Sequence, residues 1–151
     1  MVGCNTIMFY EAKNQYKDAH PLGFKFKKGN QLVPLGSMEK EIQLSASTAF
    51  FRADIIFAKQ VFFDARVKPN FEDAHFVARY LKGDKFGHAA FLQHSKYYYR
   101  KREDGSSTLD TSWTKKERFL NVPEYGYLDV LKSYHETEGS VPVNIQRTVI
   151  Y

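Results

Sequence analysis

A helix boundary at residues 70–73 places the strongest local constraint on how this chain folds. Asn70 is a favourable N-cap residue, and Gly83 suits the left-handed conformation in which many helices end. Between them, apolar side chains recur at helical spacing: Phe76, Val77, Tyr80 and Leu81. The pattern predicts a helix from about Phe71 to Lys82.

Two adjacent carboxylates, Glu72 and Asp73, fall in the first turn of this predicted helix, with Asp73 near its third position. Acids are common there because they interact favourably with the helix macrodipole, by about 0.3–1 kcal/mol each. A purely structural role therefore explains the pair on this stretch alone. Alternatively, two carboxylates in one cleft of low dielectric raise the proton affinity of one of them, which suits a general base.

The composition indicates one folded domain. The chain has 151 residues, of which 43% are apolar and 16% aromatic, and no run approaches the ~20 apolar residues of a membrane span. Cys4 is the only cysteine, which excludes an internal disulfide and a zinc cluster. The first ten residues lack the features of a secretory signal, so we expect a cytoplasmic protein.

Basic residues are in excess and clustered. The 22 Lys and Arg against 17 Asp and Glu give a net charge of +5, concentrated at residues 25–28, 96–102 and 115–116. Such patches attract phosphate in nucleotide sugars, anionic lipids, polyanionic polymers or nucleic acids. A solvated basic face is the alternative, and charge alone does not choose among them.

Further patterns predict strands and helices that alternate along the chain, as in an α/β fold. A hairpin turning at Gly29-Asn30 would place Lys25 and Lys27 on one face. The predicted strands are Val2–Tyr10, the arms of this hairpin within His20–Pro34, a β-prone run in residues 39–51, and Phe86–Tyr99. The last predicted helix runs from Pro123 to Glu138 with Gly139 as its C-cap, and an amphipathic segment begins at Val143.

Four short motifs follow one another in a specific order. They are the Ser-x-x-Phe-Phe-Arg run at 47–52, Phe63-Asp64, the Asn-Phe-Glu-Asp-Ala-His-Phe run at 70–76, and the Tyr-Tyr-Arg-Lys-Arg-x-x-x-Ser run at 98–106. This ordered set resembles the C-terminal half of a family 2, GT-A type glycosyltransferase domain. The closest resemblance is to bacterial enzymes that build teichoic acids and other cell-surface polysaccharides, and it extends from about residue 20 to the end.

The resemblance implies an α/β fold with a partial GT-A-like mixed sheet and flanking helices. Residues 1–151 would form a single, incomplete domain, the acceptor-side portion without the N-terminal nucleotide-binding half. The implied activity is inverting transfer of a sugar from a nucleotide-sugar donor to a cell-surface polysaccharide or teichoic acid. Asp73 would be the general base, and Glu72 would orient it or contact acceptor hydroxyls.

The donor diphosphate would be held by Arg100, Lys101 and Arg102, because guanidinium groups suit phosphate. A solvated strand end is the alternative. Ser106 and Ser107 would cap the phosphates or only form the turn.

Weaker candidates complete the predicted site. Ser47 is a possible acceptor contact or part of a half-buried strand, and His75 is a possible acceptor contact or a packed residue. His94 would reach a metal or a phosphate only if its strand end faces the cleft.

One family feature is missing from the sequence, the Asp-x-Asp motif that positions a divalent cation in the nucleotide-binding half. The complete domain is expected to use Mg²⁺ or Mn²⁺, but this chain offers no ligand set, which puts independent catalysis in question. The expected partners are a nucleotide sugar, a polysaccharide or lipid-linked acceptor at the inner membrane face, and the missing half or a fused second transferase domain.

A function of another class stays open. Aromatic residues beside Arg and Lys suit stacking on a polyanion, so a non-catalytic module that binds teichoic acid or nucleic acid without sequence specificity is the alternative. The acid pair separates the two interpretations. A polyanion binder gains nothing from Glu72 and Asp73, whereas a transferase requires a carboxylate.

Overall fold

A computed structural model describes residues 1–84, 87–107 and 111–151 of the chain. These residues form an α/β fold in which helices flank one mixed sheet. The strands of that sheet are β1 (Val2–Tyr10), β2 (Gln15–Lys17), β3 (Gln31–Pro34), β4 (Ala49–Phe50) and β5 (His88–Lys101).

The long strands β1 and β5 pair in parallel along nearly their whole length and form the centre of the sheet. A parallel pair needs a long crossover, and residues 11–87 supply it. On the other edge of β1, β4 pairs antiparallel with its start and β2 with its end. Strand β3 pairs antiparallel with the start of β5.

A bulge interrupts the central pairing. Cys4 lies opposite Leu92 but Asn5 lies opposite Lys96, so residues 93–95 of β5 are out of register. The Ser95 hydroxyl donates to Cys4 Sγ at 2.9 Å within this bulge. The irregularity divides the β1–β5 pair into two parts. Residues 2–4 with 90–92 pack on the core, and residues 5–10 with 96–101 carry the tyrosine run.

The helices follow β4 and β5 in the chain. They are α1 (Ala53–Lys59), α2 (Glu72–Leu81), α3 (Glu117–Asn121), α4 (Asp129–Glu138) and α5 (Val143–Ile150), and a π-helical segment, Val122–Leu128, joins α3 to α4. In the described parts of the chain, none of these helices is long and apolar enough to cross a membrane.

The core centres on α2, whose residues 74–78 are all buried. One side of α2 packs through Phe76 and Tyr80 against Val61 and Phe51. Its other side packs through Ala78 against α4 and α5, where the Tyr134 hydroxyl donates to the Ala78 carbonyl at 2.8 Å. Burial of this helix on two sides fixes where its N-terminus points.

Several sequence predictions are confirmed: the α/β class, strand Val2–Tyr10, the helix after residue 70, and Gly139 as a left-handed C-cap. The long strand predicted from Phe86 is present from His88, and Phe86 itself lies outside the described residues. The predicted final helix begins as the π-helical segment and continues as α4.

The predicted hairpin is wrong. Residues Pro21–Phe26 form a 3₁₀ helix, because Pro21 starts it and His20 Nδ1 accepts from the Leu22 N–H at 3.2 Å. The residues after the turn pair with β5 as β3. Lys25 is therefore buried while Lys27 is exposed, and the two do not share a face.

Two further predictions are wrong. Asn70 is not the N-cap of α2, since Phe71 occupies that position with a φ of +73° and makes no side-chain cap. Residues 39–51 form a 3₁₀ turn, Ala46–Thr48, and only the two-residue strand β4. Helix α1, which follows, was not predicted.

We expect Phe91→Ala to lower the free energy of unfolding by about 3–5 kcal/mol, since Phe91 is fully buried against Phe26 and Met38. Leu92→Ala, on the exposed face of the same strand, is the matched control and should cost less than about 1 kcal/mol. Urea unfolding followed by circular dichroism measures both. Equal costs would contradict this account of the core.

Candidate functional site

The acid pair lies at the N-terminus of α2, where Glu72 and Asp73 are the first two helical residues. Both are half-buried. The left-handed conformation of Phe71 turns the chain into the helix immediately before them. Two carboxylates thus lie side by side at the positive end of the helix, where their negative charge is favoured.

Asp73 is joined to a row of hydroxyl groups. The Ser45 hydroxyl donates to Asp73 Oδ2 at 3.0 Å, and Ser47 Oγ lies 2.9 Å from Ser45 Oγ. Ser47 is exposed, so the row leads from the surface to the carboxylate. The structure therefore links Ser47 to Asp73 through Ser45, which is the direct partner of Asp73.

Glu72 is in a different environment from Asp73. Burial raises the pKa of Glu72 above its ordinary value, and the charge of Asp73 adds to this increase. A backbone hydrogen bond lowers the pKa but does not cancel the effect of burial. Its Oε2 is buried and has no hydrogen-bond partner among the described residues. A carboxylate with these properties accepts a proton more readily than an exposed one.

An open groove of about 710 Å³ lies beside Glu72. It runs between the loop at residues 63–69 and the start of α3, and it contains two lysines, Lys68 and Lys115. Lysine side chains can bind anionic groups there. Lys115 belongs to a basic pair that is visible in the sequence, whereas no sequence signal pointed to Lys68.

The groove also contains a carboxylate that stays ionised. Arg66 donates to Asp64 with an Nη2–Oδ2 distance of 2.6 Å, and this pairing lowers the pKa of Asp64 to about 2. Asp64 and Glu72 thus differ in proton affinity because one has a guanidinium partner and the other does not. Of these two, Glu72 therefore binds a proton more readily than Asp64 does.

The predicted diphosphate-binding residues lie at the end of β5. Arg100 pairs with Glu11, and its side chain is 62% exposed. Arg102 Nη1 donates to Ser106 Oγ at 3.2 Å, and the Ser107 carbonyl accepts from the Thr111 N–H. These contacts order the strand end and the turn, and Arg100 and Arg102 keep much of their surface exposed.

The basic cluster and the hydroxyl row lie at opposite ends of the sheet. Gln43, next to the hydroxyl row, packs on Gly3 of β1, whereas Arg100 and Lys101 lie opposite Phe9 and Tyr10. Seven residues of strand separate Gly3 from Tyr10, which is about 23 Å. The structure therefore does not bring the predicted donor-binding cluster next to the acid pair.

Neither candidate histidine lines the groove beside Glu72. His75 is fully buried, and its Nε2 lies 2.8 Å from Asp129 Oδ2, so it packs α2 against α4 and is out of reach of an acceptor at the surface. His94 is exposed in the β5 bulge rather than at a strand end. His75 is thus a packed residue, the alternative that the sequence left open.

The side chains present do not provide a metal centre. Over residues 1–84, 87–107 and 111–151, no group of three or more His, Cys, Asp and Glu residues is placed to hold an ion. The divalent cation expected for a complete GT-A domain does not fit any residue set here.

Sequence comparison gives one informative result. The chain is similar to a teichoic acid biosynthesis protein. It is 29% identical over 133 residues to the minor teichoic acid biosynthesis protein GgaA of Bacillus subtilis (strain 168). The match covers 87% of this chain but only 29% of that relative's length. No protein-family model matches the chain, and no solved structure matches it.

We expect Glu72→Gln to stabilise the fold at about pH 7. The raised pKa means that the ionised carboxyl destabilises the folded state at neutral pH. At about pH 3 the carboxyl is protonated in both the folded and unfolded states, so the gain should disappear. Urea midpoints at the two pH values measure the effect.

Glu124→Gln is the control for this prediction, since Glu124 is exposed. Its urea midpoint should match the unsubstituted chain at both pH values. A Glu72→Gln midpoint that falls at neutral pH would show that the carboxylate stabilises the helix start instead.

Proposed function

We propose that this chain is the acceptor-side part of a glycosyltransferase that acts in cell-surface polysaccharide assembly. The observation that carries the proposal is the carboxylate pair at the start of α2, with Glu72 facing a groove and Asp73 linked by Ser45 to the surface. The similarity to a teichoic acid biosynthesis protein supports the same conclusion. A partial GT-A fold is part of this proposal.

In the proposed reaction, Asp73 accepts the proton of an acceptor hydroxyl while that oxygen attacks the anomeric carbon of the donor sugar. The new bond joins the acceptor oxygen to the anomeric carbon, and the bond from that carbon to the diphosphate breaks with inversion. The diphosphate leaves with the electron pair. Ser45 orients Asp73 through Oδ2, which fixes the base relative to the acceptor.

The groove has a complementary role in this proposal. Lys68 and Lys115 bind anionic groups of the acceptor, and Glu72, which also lines the groove, accepts hydrogen bonds from acceptor hydroxyls. The lysines would contact phosphates of an acceptor such as a teichoic acid or a lipid-linked glycan, and the lining carboxylates Asp64, Glu72 and Glu117 suit its hydroxyl groups. This assignment makes Glu72 a binding residue and leaves proton transfer to Asp73.

The donor half of the reaction is proposed to depend on residues outside this chain. The chain spans only 29% of its relative's length, which leaves room there for a nucleotide-binding part with its own cation site or for a second transferase domain. We propose that the assembled enzyme uses a nucleotide sugar in the cytoplasm, at the inner membrane face. The basic surface would favour that membrane location.

We expect Asp73→Asn to reduce transfer by about 10²–10⁴-fold, because the amide cannot accept the acceptor proton. Asp54→Asn is a matched control, since Asp54 is also the second residue of a helix but is exposed. The assay uses the full-length native product, labelled UDP-hexoses and UDP-N-acetylhexosamines, and purified wall teichoic acid. Circular dichroism must show that both variants are folded.

Full activity of Asp73→Asn would overturn the proposed base. Loss of activity in both aspartate variants would indicate that folding, rather than proton transfer, is affected. If the native product has the mass of this chain alone, 17.6 kDa, and shows no transfer, the enzyme proposal fails.

The position of the basic cluster favours a second candidate function, polyanion binding. Arg100 and Arg102 lie far from the acid pair but near the exposed rings of Tyr16 and Tyr98, whose centroids are 5.6 Å apart. Exposed aromatic rings beside cations suit a chain of sugars or bases linked by phosphates. This surface would bind the polymer without chemistry.

The double variant Arg100→Glu, Arg102→Glu tests which ligand the cluster binds. If the cluster holds a polymer, affinity for wall teichoic acid should fall at least tenfold, while affinity for UDP stays the same. Loss of UDP affinity would instead support donor binding. The control, Lys40→Glu with Lys132→Glu, makes the same charge change at exposed positions. Titrations at two salt concentrations measure both affinities.

A further inference from the structure

Lys25 is buried in the core without an acidic partner. It is only 3% exposed, and none of the ion pairs among the described residues involves it. Its Nζ lies 4.7 Å from the centre of the Phe91 ring, and burial lowers the pKa of Lys25 to about 7. Since a buried ammonium is costly, its hydrogen bonds must have a specific consequence for the residues around it.

The Lys25 side chain anchors one end of a side-chain amide. Lys25 Nζ donates to the Ile42 carbonyl and to Gln43 Oε1, the latter at 3.0 Å. Lys25 donates to the amide oxygen, and the Ser45 carbonyl, which can only accept, faces the amide nitrogen. The NH₂ group of Gln43 therefore points the other way.

Gln43 in turn holds the residues next to the acid pair. Its Nε2 donates to the Ser45 carbonyl at 2.8 Å and to Thr48 Oγ1 at 2.6 Å. Glycine at position 3 accommodates this amide, since a Cβ there would lie 3.2 Å from Gln43 Oε1. The Ser45 backbone is thus held by an amide whose oxygen Lys25 anchors.

Ser45 completes the chain of contacts. Its hydroxyl donates to Asp73 Oδ2 at 3.0 Å, and its carbonyl also accepts from Thr48 Oγ1 at 3.1 Å. Three links therefore connect a buried ammonium to the carboxylate: Lys25 to Gln43, Gln43 to Ser45, and Ser45 to Asp73. Gln43 and Thr48 are buried, which shields these bonds from competition by water.

We propose that Lys25 is a positioning residue for Asp73, acting through Gln43 and Ser45. Lys25 does not touch substrate. Its role is to anchor the Gln43 amide, which holds the Ser45 carbonyl and thereby keeps the Ser45 hydroxyl within reach of the carboxylate. The catalytic consequence rests on the proposed function, whereas the structural link from Lys25 to Ser45 does not.

The structural link is tested on the 151-residue chain by NMR. In Lys25→Met, the Gln43 side-chain NH₂ protons should exchange with solvent at least tenfold faster, and the Ser45 and Asp73 backbone amide signals should shift. Lys27→Met is the matched control, because it removes the same charge from an exposed position two residues away. Unchanged Gln43 exchange in a folded Lys25→Met chain overturns the proposal.

The catalytic consequence is tested in the native full-length product with the UDP-sugar panel and wall teichoic acid. Lys25→Met should lower kcat by about 10–100-fold with KM within about twofold, as expected for a misplaced base. In a Gln43→Met background, Lys25→Met should cause no further loss, because the link is already broken. Additive losses in the double variant overturn the proposed route through Gln43.

The two proposals fail in different ways. If Asp73→Asn retains full activity, the proposed function fails, and the NMR measurement still decides the link from Lys25 to Ser45. If Asp73→Asn is inactive but a folded Lys25→Met enzyme keeps its kcat, positioning by Lys25 fails and the proposed function stands. Ser45→Ala, at a half-buried position, provides a second variant if Lys25→Met does not fold, and it should show the same selective fall in kcat.

Discussion

The parallel pairing of β1 with β5 is the interaction on which the rest of the structure depends. It joins residues 2–10 to residues 90–101, so the chain between them must cross over and return to the sheet. That crossover contains α2 with the acid pair, Lys25 and the hydroxyl row. Phe91 of β5 and Gly3 of β1 then form the surface against which Gln43 and Lys25 pack. The arrangement of the candidate site thus follows from one strand pair.

Packing on both sides of α2 explains why the carboxylates keep a fixed position. The helix packs between Phe51 on one side and α4 and α5 on the other. Its His75 forms a hydrogen bond with Asp129 of α4. The helix N-terminus therefore cannot tilt to relieve the burial of Glu72. A carboxylate with a raised pKa destabilises the fold at neutral pH, and such groups are frequent at functional sites. Lys25, which donates a hydrogen bond to Gln43, is a second ionisable group whose burial costs free energy of folding.

Features that depend on residues close in the chain could be predicted from the sequence. The apolar stripe predicted α2, the β-rich run predicted β1, and the acid pair was found at the helix start. Predictions that depended on distant partners were not reliable. Residues 31–34 look like one arm of a hairpin, but they pair with the distant strand β5, while residues 21–26 form a 3₁₀ helix. Phe71 replaces Asn70 at the helix start because its ring packs on Tyr127, 4.6 Å away.

The sequence by itself determined the α/β class, the main periodic elements and the chemical nature of the candidate residues, because these depend on side-chain type and local spacing. Only the tertiary structure decided which of those residues meet. It joined Lys25, Gln43 and Ser45 to Asp73 across gaps of up to 28 residues between bonded partners, and it placed Arg100 at the other end of the sheet. The physical reason is that strand register and helix packing arise from burial of apolar surface shared by distant segments, which no local pattern specifies.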